Sequence, residues 1–210
     1  MGDARHQTHD WLVKGDRVGL TTPTREEFVS RWDLYNDPQL GMLASFQTAG
    51  AGSISKPPVT REQREALWTQ VAEGPLVSFD IRALEDGRFV GEAGLGRMQW
   101  PEGSGDIGML LFDAEDRGRG YGTEAVMLLT AYGFDALGLH RITIRYIGVN
   151  EAVVQAVERS AAAVGARLAG VEREAEWAFG GRRDRLIVET VREDFPPNPA
   201  TAGLRSGGGR

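Results

Sequence analysis

The most informative chemical feature of the sequence is a glycine-rich hexapeptide, RGRGYG, at Arg117–Gly122. Its three glycines alternate with larger residues, so backbone N–H groups can converge on a ligand without obstruction by Cβ atoms. Thr123 is predicted to cap the following helix, whose free N–H groups and dipole favour an anion. Together with the positive charges of Arg117 and Arg119, the pattern predicts a pyrophosphate site.

The spacing of the hexapeptide restricts the class of phosphate site. A Walker loop would end in Gly-Lys-Ser/Thr, and the first turn of a dinucleotide-binding fold has a different glycine spacing. The spacing alone leaves open a plain strand-to-helix turn with solvated arginines. An arginine–glycine segment for nucleic acid is disfavoured, because the motif occurs once, continues into a helix and lies in an acidic chain.

Two regular elements must hold the hexapeptide in place. The apolar run DIGMLLF, at Asp106–Phe112, is typical of a buried central strand. After the hexapeptide, apolar residues at helical spacing predict a helix that Gly138 closes. This strand–turn–helix unit would present the glycine-rich turn to a ligand.

The remaining segments predict a mixed α/β (α+β) single domain at 11–195. Helices are predicted after the caps Thr24, Thr60 and Asn150. Strands are predicted at 17–21 and 140–147 and in hairpins that turn at Asp86-Gly87 and Gly180-Gly181. Segment 43–59 is predicted to be a long loop, 1–10 a flexible N-terminus and 196–210 a disordered tail.

Composition excludes several classes of site. The 210 residues include no cysteine, which rules out disulfides, thiolate zinc sites and a cysteine nucleophile. Three scattered histidines are too few for a histidine-based metal site, so no metal is expected. The formal net charge of −6 disfavours nucleic acid and favours a cationic partner. No apolar run approaches the ~18 residues of a membrane span, and the N-terminus lacks an apolar signal core, so we expect a cytoplasmic protein without a membrane partner.

The ordered set of motifs resembles a known enzyme family. Arg117–Gly122 resembles the Arg/Gln-x-x-Gly-x-Gly/Ala acetyl-CoA motif of the GNAT superfamily of N-acetyltransferases. Asp106–Gly108 resembles the start of that family's fourth strand, and Leu137–Ile142 resembles the segment leading into its fifth. Asn150 stands where the family has an asparagine heading the next helix. The hairpin with Ala175-Glu176-Trp177 and Asp184 is similar to the C-terminus of the ribosomal-protein N-acetyltransferase (RimJ/RimL-like) subgroup, and the resemblance covers about 12–195.

The resemblance implies a splayed, mostly antiparallel sheet with about four flanking helices, open between the fourth and fifth strands. In the family, the pantetheine arm of acetyl-CoA lies in that opening, the pyrophosphate sits on the glycine-rich turn, and a strand N–H polarises the acyl carbonyl. The implied cofactor-binding residues are Met109, Leu110, Leu111, Phe112, Arg117, Gly118, Arg119, Gly120, Tyr121, Gly122, Thr123 and Asn150.

The implied reaction is direct attack of an amine on the thioester of acetyl-CoA. An alkyl amine with a pKa near ~10 must first lose a proton, and a carboxylate can take it directly or through water. The candidates are Glu92 on the strand before the motif strand, Asp106 at the head of that strand, and Glu176 in the Ala-Glu-aromatic segment. We favour Glu176 and Asp106 over Glu92. The alternative for each is a solvated or ion-paired surface carboxylate.

The sequence departs from the family at the general acid. Many relatives place a tyrosine seven residues after the asparagine, where this chain has Val157. The ribosomal subgroup often has a serine three residues after it, where this chain has Val153. Ser160, in what resembles an extra helical turn, is a substitute candidate, and a thiol with a pKa near ~8.5 is also a fair leaving group without an acid.

The resemblance therefore implies acetyl transfer to a primary amine, which could be a protein or peptide N-terminus or a small molecule. The acidic balance favours a cationic acceptor. The missing tyrosine and serine motivate an alternative, a non-catalytic acyl-CoA-binding sensor or scaffold. The C-terminal hairpin could support a homodimer, as in many relatives.

Overall fold

The computed structural model describes residues 10–37, 58–74, 76–148, 151–178 and 180–202. The strands are β1 (Val13–Lys14), β2 (Val18–Thr21), β3 (Val77–Ala83), β4 (Phe89–Gln99), β5 (Ser104–Leu111), β6 (Arg141–Ile147), β7 (Arg167–Ala178) and β8 (Gly181–Val191). The α-helices of these residues are α1 (Arg25–Ser30), α2 (Arg61–Glu73), α3 (Tyr121–Asp135) and α4 (Glu151–Ala163). Short 3-10 helices occupy Arg31–Asn36, Ala114–Asp116 and Pro199–Thr201.

The eight strands form one sheet in the order β1-β2-β3-β4-β5-β6-β8-β7. Neighbouring strands are antiparallel except for β5 and β6, which run parallel. The β5–β6 ladder begins at Ser104–Arg141 and ends at Asp106–Thr143, so the sheet opens beyond Asp106. The predicted mixed α/β fold, with a mostly antiparallel, splayed sheet and four helices, is confirmed.

The main hydrophobic core lies between the sheet and the helices α3 and α4. It includes Phe79, Ile81, Leu95, Ile107 and Met109 from the sheet and Ala125, Leu128, Leu129, Val157 and Ala161 from the helices. Full burial of one such aliphatic or aromatic side chain stabilises the fold by about 1.5–3 kcal/mol. The β5–turn–α3 unit is therefore anchored through both of its regular elements.

The other face of the sheet carries α1 and α2, joined to β3 and β4 by buried ion pairs. A small apolar cluster holds the two helices together and includes Phe28 and Leu67. Arg31 makes a bidentate bond to the fully buried Asp80 at 2.5 and 2.9 Å. Arg64 reaches Glu92 from α2 at 2.9 Å. On this face, ion pairs therefore help to hold the helices on the sheet, whereas on the opposite face apolar contacts do so.

Local signals place the start of most helices correctly. Thr24 and Thr60 cap their helices as predicted, and in the structure each forms a capping box, with Glu27 and Gln63 as partners. The helix that Thr24 caps ends at Ser30, and the chain continues as the 3-10 helix Arg31–Asn36. Within the described residues, no helix has both the length and the apolar character needed to cross a membrane.

The first residues of the predicted tail, 196–202, make hydrogen bonds with one another and with the domain. Residues 196–202 have defined positions, since the Asn198 side chain accepts the N–H of Ala200 and Thr201 is buried with its hydroxyl on Asp135 at 2.7 Å. Proline and glycine content hid these capping contacts. The predictions for 1–9, for 43–57 of the long loop and for 203–210 lie outside the described residues.

Candidate active site

The glycine-rich turn enters α3 through two left-handed glycines. Gly118 has a φ of 76° and Gly120, the N-cap of α3, has a φ of 86°. Side chains other than glycine rarely adopt this conformation. The prediction that Thr123 caps the helix is wrong, because the helix begins two residues earlier and no side chain of the described residues caps it. Its first-turn N–H groups are left for an anion, so the residues present fit a pyrophosphate.

The two arginines of the turn are held in different ways. Arg117 donates to the Phe112 carbonyl at 3.0 Å, and its partial burial lowers the pKa of its guanidinium. Arg119 donates to Glu85 at 3.1 Å and lies over the ring of Tyr121. The charge of Arg119 is therefore already balanced by a carboxylate of the β3–β4 turn.

The side chains of Tyr121 and Thr123, just after the turn, contact other parts of the domain and so hold α3 in place. Tyr121 is buried and donates its hydroxyl to Glu85 at 3.2 Å. The Thr123 hydroxyl lies 3.3 Å from that of Ser160 on α4. A Cβ on Gly122 would lie 3.5 Å from Met109, which shows how closely the helix packs on β5.

The carboxylate of Glu124, in the first turn of α3, bonds the β1–β2 turn and so fixes the start of the helix. Glu124 accepts the backbone N–H groups of Asp16, Arg17 and Val18 at 2.7, 2.8 and 2.9 Å. The β1–β2 turn approaches so closely that a Cβ on Gly15 would lie 2.6 Å from the Glu124 carboxyl. Sequence reasoning missed this brace, since its partners are more than 100 residues apart.

Alternate backbone groups of β5 have no strand partner on the side of the opening, where Arg117 donates to the Leu111 carbonyl at 3.5 Å. Phe112 donates its N–H to Val90, so in the antiparallel ladder alternate residues of β5 bond β4. The N–H and C=O groups of Met109 and Leu111 therefore point away from β4, toward the gap left by β6. The Phe112 ring packs against Tyr35 and Phe89, with centroids at 5.3 and 5.6 Å, and fixes the end of the strand.

Asp106 lies where the sheet divides. It is the last residue of β5 paired with β6, and Arg145 of β6 donates to its carboxylate at 3.1 Å. Arg97 lies at 3.6 Å, and the Asp106 side chain remains 22% exposed. Burial raises the pKa of Asp106 above its usual value, while Arg145 and Arg97 act against this rise.

Glu92 is the most enclosed of the three candidate bases. It receives two hydrogen bonds from Arg64, at 2.9 and 3.0 Å, and one from the hydroxyl of Tyr35. Burial raises the pKa of Glu92, an effect that Arg64 and Tyr35 oppose. Burial of the Tyr35 hydroxyl, together with the charge of Glu92, raises the pKa of Tyr35. Glu92 thus joins α2 and the Arg31–Asn36 helix to β4.

Glu176 shares one guanidinium with a second carboxylate. Arg185 of β8 donates to Glu176 through both Nε, at 3.2 Å, and Nη2. The same arginine donates to Glu172 at 2.5 Å. Two carboxylates around one guanidinium give the Glu172–Arg185–Glu176 group a net negative charge, and Arg183 stands opposite Glu176 in the β7–β8 ladder.

The three carboxylates border one opening. Glu92 stands opposite Leu110 in the β4–β5 ladder, and Arg185 stands opposite Ile147 in the β6–β8 ladder. If the parallel register of β5 and β6 continued, Leu110 and Ile147 would be neighbours. Glu92 and the Arg185–Glu176 pair therefore lie on opposite sides of the gap, and Asp106 lies at its closed end. The strand alternation puts all of them on the sheet face opposite α3 and α4.

Comparison with known proteins identifies the fold family. Residues 17–162 match the family model described as the acetyltransferase (GNAT) domain. The chain belongs to the GNAT family. A search of the curated protein sequences gives no significant match.

Solved structures share the fold of this GNAT chain at low sequence identity. RimJ from Mycobacterium smegmatis, solved with CoA-disulfide, is 22% identical with a TM-score of 0.68, over 90% of this chain and 89% of RimJ. The ribosomal-protein-S5-alanine acetyltransferase of Vibrio fischeri is 18% identical with a TM-score of 0.65, over 88% and 98%. Spermidine N-acetyltransferase from Vibrio cholerae, solved with CoA and spermine, is 16% identical with a TM-score of 0.68, over 84% and 96%.

Two positions where many GNAT relatives have a hydroxyl hold core valines here. Val153 and Val157 of α4 are buried among apolar side chains. Ser160, the substitute candidate, is also buried and donates its hydroxyl to the Ala156 carbonyl at 2.9 Å. Asn150 lies outside the described residues.

Proposed function

We propose that this GNAT chain transfers an acetyl group from acetyl-CoA to a primary amine. The observation that carries the proposal is the N-terminus of α3, which has no side-chain cap and is entered through the left-handed Gly118 and Gly120. The turn follows β5, whose alternate backbone groups face the opening. Solved relatives bound to CoA-disulfide, or to CoA with spermine, support this assignment.

In this proposal, the backbone does most of the cofactor binding. The N–H groups of Gly118–Gly122 hold the pyrophosphate, and the gap-facing groups of Met109 and Leu111 hold the pantetheine arm. When bound, acetyl-CoA supplies the activated acetyl thioester. A β5 N–H directed into the gap polarises the acyl carbonyl and stabilises the charge that develops on its oxygen.

Asp106 is the proton acceptor in this proposal. Of the three carboxylates, it combines partial exposure with a pKa that burial raises. It also lies at the closed end of the opening, where β5 and β6 part. A base whose pKa lies closer to neutrality takes a proton from an ammonium group more readily, directly or through water.

The Glu172–Arg185–Glu176 group attracts the acceptor. Its net negative charge, on a chain with formal charge −6, favours an amine that approaches as a cation. The class includes peptide N-termini and small cationic amines. Glu92 has a structural role in this proposal, because Arg64 and Tyr35 already occupy its carboxylate.

Steady-state kinetics with acetyl-CoA and a panel of amines test these roles. Asp106→Asn should lower kcat about a hundredfold or more, the usual contribution of a general base. Glu176→Gln should chiefly raise the KM for the amine. Asp194→Asn, which removes a carboxylate paired with Arg167 at the other end of the hairpin, is the matched control and should change neither constant. An unchanged kcat in Asp106→Asn would overturn the assignment of the base.

A second candidate function is a non-catalytic acyl-CoA-binding module. The buried Val153 and Val157, which leave no hydroxyl at either family position, favour it. It predicts that acetyl-CoA binds and that no amine accelerates the release of CoA thiol.

A further inference from the structure

Strand β7 carries a wide bulge directly before Glu176. Glu172 pairs with Arg185, but the next paired residue, Glu176, stands opposite Arg183. The distance along the chain from Glu172 to Glu176 is four residues, whereas that from Arg185 to Arg183 is two, so β7 contains two additional residues here. In a regular ladder Glu174 would face Arg183, and Glu176 would face Gly181. The two additional residues move Glu176 two positions along β8, next to Arg185.

The bulge depends on an unfavourable backbone conformation. Glu174 has a φ of 52°, in the left-handed region that residues other than glycine rarely adopt. Its N–H donates to the Asp184 carboxylate at 2.8 Å. A bond from an N–H to an ionised carboxylate is stronger than one to a neutral acceptor, and here it offsets the conformational cost.

We propose that Asp184 is a positioning residue for the acceptor site. By holding Glu174 in the left-handed conformation, it maintains the bulge and keeps the Glu176 carboxylate on Arg185, at the border of the opening. Its effect on catalysis rests on the proposed function, in which Glu176 attracts the acceptor amine. Its effect on strand register rests on the geometry alone.

The negative charge of Asp184 offers a competing explanation for any effect that its substitution has on the binding of a cationic acceptor. Asp184 lies between Arg183 and Arg185 in sequence and is exposed, so its negative charge alone could affect a cationic acceptor. Asp184→Asn separates the two explanations, because asparagine keeps a side-chain oxygen for the Glu174 N–H and removes the charge.

Kinetics of three variants test the proposal. Asp184→Ala should raise the KM for a cationic amine by about five- to thirtyfold, the factor that corresponds to the cost of an unsupported left-handed residue. The Kd of acetyl-CoA should not change. Asp184→Asn should raise the KM much less than Asp184→Ala does, because its neutral amide oxygen still accepts the Glu174 N–H. The double variant Asp184→Ala with Glu174→Gly should regain a near-normal KM, because glycine adopts a φ of 52° without strain.

Two results would overturn the proposal: an unchanged KM in Asp184→Ala, or a raised KM that Glu174→Gly fails to restore. A crystal structure of Asp184→Ala gives a readout that does not depend on turnover. We expect the pairing of Glu176 with Arg183 to be lost there and to return in the double variant. If the pairing persists in Asp184→Ala, the positioning role is wrong. If the register shifts as expected but no amine is acetylated by wild type, the proposed function fails and the role of Asp184 in strand register stands.

Discussion

Asp106, Glu92 and Glu176 carry the same acid group in three different electrostatic surroundings. Glu92 is enclosed by Arg64 and Tyr35, and Glu176 shares Arg185 with Glu172. Asp106 is partly exposed, with Arg145 as its nearest cation. Burial raises the pKa of both Glu92 and Asp106, but only Asp106 combines that rise with access from the opening. The surroundings, rather than the residue type, separate a structural carboxylate from a candidate base.

The pH dependence of turnover should report the pKa of Asp106. Since a base acts when deprotonated, kcat/KM should fall as the pH drops through that pKa, above the usual range of aspartate. Arg145 lowers the pKa of Asp106, so Arg145→Ala should raise it further and move this acidic limb to higher pH. The measurement is the pH profile of kcat/KM for wild type and variant.

Arg97 provides the matched control for this shift. Its nearest nitrogen lies 3.6 Å from the Asp106 carboxylate, against 3.1 Å for Arg145, and its side chain is 59% exposed. Solvent screens its charge, so Arg97→Ala should move the limb less. A limb that stays in place in Arg145→Ala would indicate that another group controls the profile.

Glu92 should matter for stability. Glu92→Ala would leave the guanidinium of Arg64, which is 3% exposed, without its carboxylate, and breaking a buried pair from one side costs about 3–5 kcal/mol. Urea unfolding should show this loss, and the apolar pair Arg64→Met with Glu92→Leu should recover part of it. Normal stability with abolished kcat in Glu92→Gln would instead make Glu92 a catalytic residue.

At the scale of elements, the β5–turn–α3 unit forms the candidate cofactor site from backbone alone. Gly118 and Gly120 turn the chain, α3 begins without a side-chain cap, and Glu124 braces the first turn through three N–H groups. Side chains of the unit, such as Tyr121 and Thr123, mainly anchor it. Binding should therefore be sensitive to backbone geometry more than to charge.

A pair of glycine substitutions tests that sensitivity. Gly118 and Gly138 both have left-handed φ values, 76° and 70°, and a Cβ on either would meet nothing within 4 Å. Alanine at either position should cost about 1–2 kcal/mol of folding stability from backbone strain. Only Gly118→Ala should weaken acetyl-CoA binding, measured by calorimetry, because Gly138 lies at the other end of α3. Equal binding by the two variants would contradict the placement of the pyrophosphate.

The features predicted correctly from sequence are those set by neighbouring residues. The N-caps Thr24 and Thr60, the hairpins and the strand before the hexapeptide all have local signals. Thr123 was a misleading signal, since threonine is a common N-cap but Gly120 takes the position here. The pairing of Arg119 with Glu85 and the bulge before Glu176 depend on contacts between distant segments, which spacing does not encode.

At the scale of the whole molecule, the candidate site is a consequence of incomplete strand pairing. The β5–β6 ladder stops at Asp106–Thr143, whereas β6 pairs with β8 along its whole length. The gap therefore leaves backbone groups of β5 without a strand partner and brings Asp106 and the Arg185 group to its border. Helices α3 and α4 cover one face of the sheet, so in our proposal the acceptor approaches from the face that carries Asp106 and Glu176.

The family match agrees with acetyl transfer in general and names no acceptor. The GNAT domain match covers 17–162, and the solved relatives include a ribosomal-protein acetyltransferase and a spermidine N-acetyltransferase. The acceptors for which these two relatives are named carry amines, and in our proposal the Glu172–Arg185–Glu176 group favours a cation. Raising the ionic strength should therefore raise the KM for the amine, because salt screens exposed charges over about 10 Å at 0.1 M.

Amine-dependent release of CoA thiol is the most direct test of acetyl transfer. The protein contains no cysteine, so every thiol that a thiol reagent detects belongs to the coenzyme. We predict that acetyl-CoA stabilises the protein, by about 2.7 kcal/mol at 100 times its Kd. We also predict that a cationic amine or an N-terminal peptide accelerates thiol release, with one acetylated amine formed per thiol. Stabilisation by acetyl-CoA with no acceleration by any amine of a broad panel would contradict the account and favour the binding module.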